Sequence, residues 1–268
     1  MFSCFPRLLN LAAAEDLHLH DGFSHDGAGR PAEFAQTARA LGLAGIGITN
    51  HIETRDPATG RYGVSLPHDL ERLRRSFCAV EEARQALPGM KIKFGVEVEN
   101  HPAFYPATEK ILREVPFDYV IGSVHWVDGT CVTSEACLPA LMQRPPAEWY
   151  KGYYREMSDF VEWGRFDFLG HPDVIRRYMI QAFPGFKPLV PYDVLRNVFT
   201  LMRERGQGVE LNASGLFHAP ADAYPCPEIV RLALECGIER IMAGSDAHAP
   251  REAGRGFKTM VERLLRLD

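Results

Sequence analysis

The sequence predicts an α/β fold, a TIM-like barrel of parallel strands joined by helical crossovers. Three observations lead there. Short apolar, β-branched runs alternate with stretches of helical period. No composition break, internal repeat or Gly/Ser linker divides the chain. Histidines and acids fall just past the ends of successive runs, where a parallel barrel gathers side chains at one rim.

In chain order, Glu15–His20 is the first strand, followed by a helix over Pro31–Leu41 that opens with proline at a first-turn position. Leu43–Thr49 is the second strand and Pro67–Leu87 a long helix charged on one side. Ile92–Val98 and Phe117–Val124 are the third and fourth strands. The stretch 126–165 exceeds a simple connection and reads as an insertion over one end, a candidate lid. Within it, Ala147–Trp163 spaces Trp149, Tyr153 and Met157 by four, a helical repeat. Phe166–Gly170, Gly208–Leu211 and Arg240–Ala243 complete the seven strands, with helices over Pro191–Arg205, Pro227–Glu235 and Arg251–Leu267. Parallel neighbours need a helical crossover, and seven such units favour closure over an open sheet.

The chain has 268 residues, 46% of them hydrophobic and 24% charged, enough for one well-buried domain. Residues 15–268 read as that domain, behind an N-terminal extension over 1–14. Met1–Ala14 mimics a signal peptide, but its apolar stretch is short, and cleavage after Ala14 would cut into the first strand. The formal charge of −5 comes without a basic face, which disfavours long nucleic acid as a partner. No apolar run approaches a membrane span. Six cysteines without a C-x-x-C pair suit reduced thiols and a cytoplasmic setting. Nothing here speaks to oligomeric state.

The first strand ends in Asp16-Leu17-His18-Leu19-His20, an H-x-H spacing that puts both imidazoles on one face of a strand. His51 follows the second strand, Glu97 closes the third, His125 follows the fourth, His171 the fifth, and Asp246 and His248 the last. One histidine after a strand is an ordinary hydrogen-bonded residue. Placement after successive strands is a pattern, and His68, His101 and His218 stand outside it. Imidazoles and carboxylates without thiolates suit zinc, manganese or iron. Eight or nine donors exceed one coordination sphere, so about two or three divalent ions are implied.

The segments DLHLHDGFSHDG, GITNH, GVEVE, GSVHW, GHPDVI, ELNASG and GSDAHAP together resemble the PHP family, the phosphoesterase domain shared by some DNA polymerases and by a histidinol-phosphate phosphatase. The likeness runs from Asp16 onward and is nearest the monofunctional histidinol-phosphatase branch, through FDFLGHPDVIRRY, ELNASGL and the segment from Tyr224 to Ile229. It implies a distorted (β/α)7 barrel with a trinuclear site. His18, His20, Glu97 and Asp246 would hold one ion, Asp26, His51 and His248 would serve a second, and Glu97 would bridge to a third held by His125 and His171. The family places either histidine or aspartate after the H-x-H. Here His25 and Asp26 both qualify; the distance of Asp26 from His20 resembles the histidinol-phosphatase spacing, which favours Asp26 over a mere turn at Asp26-Gly27.

The expected reaction is hydrolysis of L-histidinol phosphate to L-histidinol and phosphate by a metal-bridging hydroxide, without a phosphoenzyme. Arg176 and Arg177 are the candidate phosphate clamp, because a planar guanidinium matches phosphate oxygens. Asn212 and Ser214 are candidate donors to substrate, although either could simply cap a turn. Asp246, His248 or water would protonate the leaving alkoxide. Two departures from the family pattern stand out: Asn50 where an acid commonly precedes the motif histidine, and Phe217 where the phosphatase branch often offers an arginine. Competing readings are a PHP-type phosphoesterase acting on nucleotides or short oligonucleotide ends, a non-catalytic metal-binding scaffold, and a two-metal C–N hydrolase. The last commonly uses a bridging lysine, for which no strand end here offers a position.

Overall fold

The computed structural model describes residues 9–10, 13–52, 66–188 and 190–267. The expected N-terminal extension therefore lies largely outside the described residues. Seven parallel strands form one sheet: β1 (Glu15–Leu19), β2 (Gly45–Ile48), β3 (Lys91–Glu99), β4 (Tyr119–Ser123), β7 (Phe168–Leu169), β8 (Gly208–Asn212) and β9 (Ile241–Gly244), in that order. Leu19 bridges Ala247, and the His20 N–H donates to the Ala247 carbonyl at 2.9 Å, so the first and last strands meet at the rim. The Asp16 carboxylate completes the seam, accepting from the Ser245 N–H at 2.9 Å, the Ser245 hydroxyl at 2.5 Å and the Gly254 N–H at 2.7 Å.

The crossovers are α1 (Pro31–Ala40), α2 (Leu66–Ala86), α3 (Tyr105–Glu114), α5 (Pro146–Trp163), α7 (Tyr192–Glu204) and α8 (Pro227–Glu235), with α9 (Phe257–Leu264) at the C-terminal end. Five of the six expected helices match with ends shifted by a residue or so; α3 was not expected, since its buried face rests on Thr108 and Ile111. The sixth, expected over Arg251–Leu267, is broken. A 3-10 turn over Pro250–Glu252 is cut off where Gly254 and Gly256 adopt φ of +70° and +84°, and the α-helix begins at Phe257.

The stretch 126–165 divides in two. Its second part, α5, is the crossover from β4 to β7, and buries Trp149, Tyr153 and Phe160 in the main core. The added structure is a hairpin of β5 (Trp126–Val127) and β6 (Thr130–Cys131) followed by the short α4 (Leu138–Leu141). A further short helix, α6 (Arg176–Ala182), follows the β7 loop.

The lower barrel is filled by an apolar plug of Leu17, Tyr119, Ile121 and Met242. The Tyr119 hydroxyl donates to the Leu17 carbonyl at 2.6 Å, and its ring occupies the space a side chain at Gly47 or Gly95 would need. Pairing of β1 with β2 carries an extra residue between Asp16 and Leu19. This bulge re-aims side chains, so that Leu17 joins the plug while His18 and His20 both reach the layer above, and Leu19 faces the helices.

Candidate metal centre

Glu97, buried at the end of β3, is the hub. Its Oε2 lies 3.0 Å from His51 Nδ1, 3.3 Å from His18 Nε2 and 3.5 Å from His20 Nε2. Its Oε1 lies 3.1 Å from His171 Nε2 and 3.4 Å from His125 Nε2. Asp246 Oδ1 faces the other side of the H-x-H pair, 3.4 Å from His20 Nε2 and 3.7 Å from His18 Nε2. Asp26 Oδ2 closes the outer edge, 3.1 Å from His248 Nε2 and 3.6 Å from His51 Nε2. All nine residues expected as ligands thus converge. Of the alternatives after the H-x-H, Asp26 meets the cluster, whereas the His25 ring is 55% exposed on the cavity side.

Ligand atoms fall within 4.8 Å of one another in overlapping sets: His18–His20–Asp246, His20–Asp26–His51–His248, His51–Glu97–His125 and His18–His171–Glu210. Stacked imidazoles 4.4 Å (His20–His248) and 4.5 Å (His20–His51) apart resist being cationic together. Burial, reinforced by His248 and His51, drives the His20 imidazole down to about 3. Burial pushes Glu97 and Asp246 the other way, but the surrounding imidazoles override it and hold both carboxyls well below their usual range. Nε2 of His18, both ring nitrogens of His20, Nδ1 of His51 and Nδ1 of His171 are buried without a hydrogen bond among the described residues. Imidazole nitrogens and ionised carboxylates buried together at one rim are the donor set of divalent cations, and the residues fit such a group.

Two acids that the sequence reading left unassigned position the cluster. Glu210, on β8, accepts from His18 Nδ1 at 2.7 Å and from the His171 N–H at 2.8 Å. That aims His18 Nε2 at Glu97 and holds His171 in a left-handed backbone of φ 24°. Glu99 accepts from His125 Nδ1 at 3.0 Å and Trp126 Nε1 at 2.8 Å, fixing the ring that faces Glu97. Both carried a signal: Glu99 repeats Glu97 at the strand period of two, and Glu210 is an acid inside a buried strand. Asn50 also has a local reason. Its amide donates to Asp21 Oδ1 at 2.7 Å and Ser76 Oγ at 3.0 Å, a donor role an acid could not play.

A cavity of about 550 Å³ opens above the cluster, reached by Asp26, His51, His125, Asp246 and His248 and walled on one side by the 126–145 segment through Cys131, Thr133, Ser134 and Glu135. Arg177 and Ser214 line it, the Ser214 hydroxyl oxygen lying 3.4 Å from Asp246 Oδ2. Arg176 is placed elsewhere: its guanidinium pairs with buried Asp173 at 2.9 Å, so the adjacent arginines do not form one clamp. Asn212 serves as a cap, its Oδ1 accepting from the Ser214 N–H at 2.9 Å and hydroxyl at 2.6 Å. His218, outside the strand-end pattern, lines the cavity with Tyr224 Oη 3.3 Å from its Nδ1.

A nearly closed parallel barrel whose rim presents imidazoles and carboxylates around a central glutamate has the build of a barrel metalloenzyme. Residues 16–214 match the PHP domain. The probable histidinol-phosphatase of Deinococcus radiodurans is 30% identical over 250 residues, covering 93% of this chain and 92% of the relative. That of Thermotoga maritima is 24% identical over 251 residues, covering 93% and 90%. The histidinol phosphate phosphatase of Lactococcus lactis subsp. lactis, solved with zinc, L-histidinol and phosphate, superposes with a TM-score of 0.75 at 20% identity over 93% of each chain. The chain belongs to the PHP domain family.

Proposed function

We propose that the protein is a metal-dependent phosphomonoesterase that hydrolyses L-histidinol phosphate to L-histidinol and phosphate, a step of histidine biosynthesis. The observation that carries the proposal is the Glu97-centred donor cluster opening into a cavity that holds both guanidinium and carboxylate groups. That mixture suits an ester with an anionic phosphate at one end and a cationic amine at the other. Relatives named histidinol-phosphatase match nearly the whole chain, which supports the substrate.

His18, His20, Glu97 and Asp246 would hold one ion, Asp26, His51 and His248 a second, and His125 and His171, with Glu97 shared, a third. Two or three divalent ions of zinc, manganese or iron fit this set, and the zinc of the Lactococcus structure favours zinc. When bound, such ions lower the pKa of a coordinated water and neutralise the phosphoryl oxygens. Arg177 and Ser214, at the cavity wall, hold the phosphate from the protein side. Of the groups able to protonate the leaving alkoxide, Asp246 is held ionised by the surrounding imidazoles, which leaves His248, 33% exposed, or water. Glu135 and Glu252 line the same cavity and suit the substrate amine.

No helix among the described residues is long and apolar enough to cross a membrane. The described cysteines are free thiols, which supports a cytoplasmic setting. The test is phosphate release by metal-loaded protein from L-histidinol phosphate beside nucleoside monophosphates. Strong preference for histidinol phosphate is expected; equal or faster turnover of nucleotides would replace this substrate assignment.

A further inference from the structure

We propose that Arg255, braced on the ring of Phe217, is the second guanidinium of the phosphate-binding site, acting with Arg177; this deepens the phosphatase reading above and rests on it. Among the described residues lining the cavity, the guanidinium groups are those of Arg177 and Arg255. They come from different elements, Arg177 from the start of α6 and Arg255 from the loop that follows the ligands Asp246 and His248.

The loop is built to present this side chain. Gly254 and Gly256 flank it in left-handed backbone, and the Gly254 N–H is tied to Asp16 at 2.7 Å, which anchors the turn to β1. A Cβ at Gly256 would meet Leu216 and Phe217 at 3.0 Å, so the backbone lies directly against the segment that carries the ring. The Arg255 guanidinium carbon then sits 3.5 Å from the Phe217 ring centroid. Stacking uses the face of the guanidinium and leaves its edge donors pointing outward. Its carboxylate neighbour Glu252 has Oε1 at 3.9 Å, the outer limit of an ion pair. Phe217 is 45% exposed, a large ring held at a cavity wall where the core gains little from it. Bracing the arginine gives it a role. A planar fork held in this way matches two phosphoryl oxygens, and prior ordering reduces the entropy lost on binding.

The experiment measures inorganic phosphate binding to the metal-loaded protein by calorimetry, and phosphate inhibition of turnover, for wild type, Arg255→Ala, Arg255→Lys, Phe217→Leu and Arg255→Ala/Phe217→Leu. Arg255→Ala is expected to weaken phosphate on the order of ten-fold or more, with Arg255→Lys recovering only part, because lysine lacks the fork. Phe217→Leu should cost roughly two- to five-fold with arginine present and nothing further once arginine is gone. Melting temperatures should stay at the wild-type value, since both side chains are substantially exposed. Phosphate affinity of Arg255→Ala within about twofold of wild type would overturn the clamp. So would absence of phosphate binding by the wild type. An undiminished Phe217→Leu effect in the Arg255→Ala background would overturn the bracing. Arg255-dependent phosphate binding by a protein that does not turn over L-histidinol phosphate would remove the substrate assignment and leave the clamp standing.

Discussion

Replacing Glu210 by glutamine keeps the side chain's shape and removes one acceptor, and the structure says which partners pay. Oε1 takes the His18 Nδ1–H at 2.7 Å and the Asn212 amide at 3.1 Å, while Oε2 takes the His171 N–H at 2.8 Å. Every approach to this buried carboxylate is by a donor. A glutamine must turn its NH2 toward one side or the other. Turned toward His171, it opposes a backbone N–H in a residue already in left-handed backbone, at a cost of about 2 kcal/mol. Turned toward His18, it forces the imidazole into the tautomer protonated on Nε2, the nitrogen aimed at Glu97 and Asp246. The expected outcome is a melting temperature lower by roughly 4–8 °C and zinc affinity weaker by about 10- to 100-fold. Thermal denaturation with and without chelator, and competitive zinc titration against a chromophoric chelator, measure the two effects. Zinc affinity within about twofold of wild type, together with an unchanged melting temperature, would refute the claim that Glu210 sets the His18 tautomer.

Other predictions follow from the same geometry. Glu97→Gln removes the charge facing five imidazoles and should abolish detectable turnover and lower the number of ions retained on dialysis, read by elemental analysis. The adjacent arginines should separate cleanly: Arg176→Ala strands buried Asp173 and costs about 3–5 kcal/mol by denaturant unfolding, whereas Arg177→Ala raises KM and spares stability. Asp16→Ala takes three hydrogen bonds from the β1–β9 seam and should lower stability by about 2–4 kcal/mol. Metal removal should reverse the pH dependence of stability. Burial pulls His18 and His51 down, but Glu210 and Glu97 override it for His18, and Glu97 and Asp26 for His51, leaving both folded-state values well raised. Their contribution in chelated protein is complete below about pH 6.5 and is lost as pH rises through the raised values. Cations compete with those protons, so the loaded protein gains stability over the same rise. Melting temperature against pH, with chelator or zinc, should show slopes of opposite sign.

The strands, most of the crossovers and the candidate ligands are legible in the sequence, because each is a local signal. Strand period, proline at helix starts and donors at strand ends are all legible within a few residues, and parallel topology brings those ends to one rim. Signals were weaker where burial is slight, as in α3, or where glycines break a helical period, as before α9.

What surrounds the donors is set by contacts between distant segments. The bulge in β1 lets Leu17 fill the plug while His18 and His20 face the cluster, and it appears only in the pairing with β2. Arg176 and Arg177 are neighbours in sequence, yet one is bound to Asp173 and the other reaches the cavity. Glu210 meets His18 across 192 positions and Asp16 meets Ser245 across 229. Such pairings depend on how the barrel closes, and closure is a property of the whole sheet that no short window of residues contains.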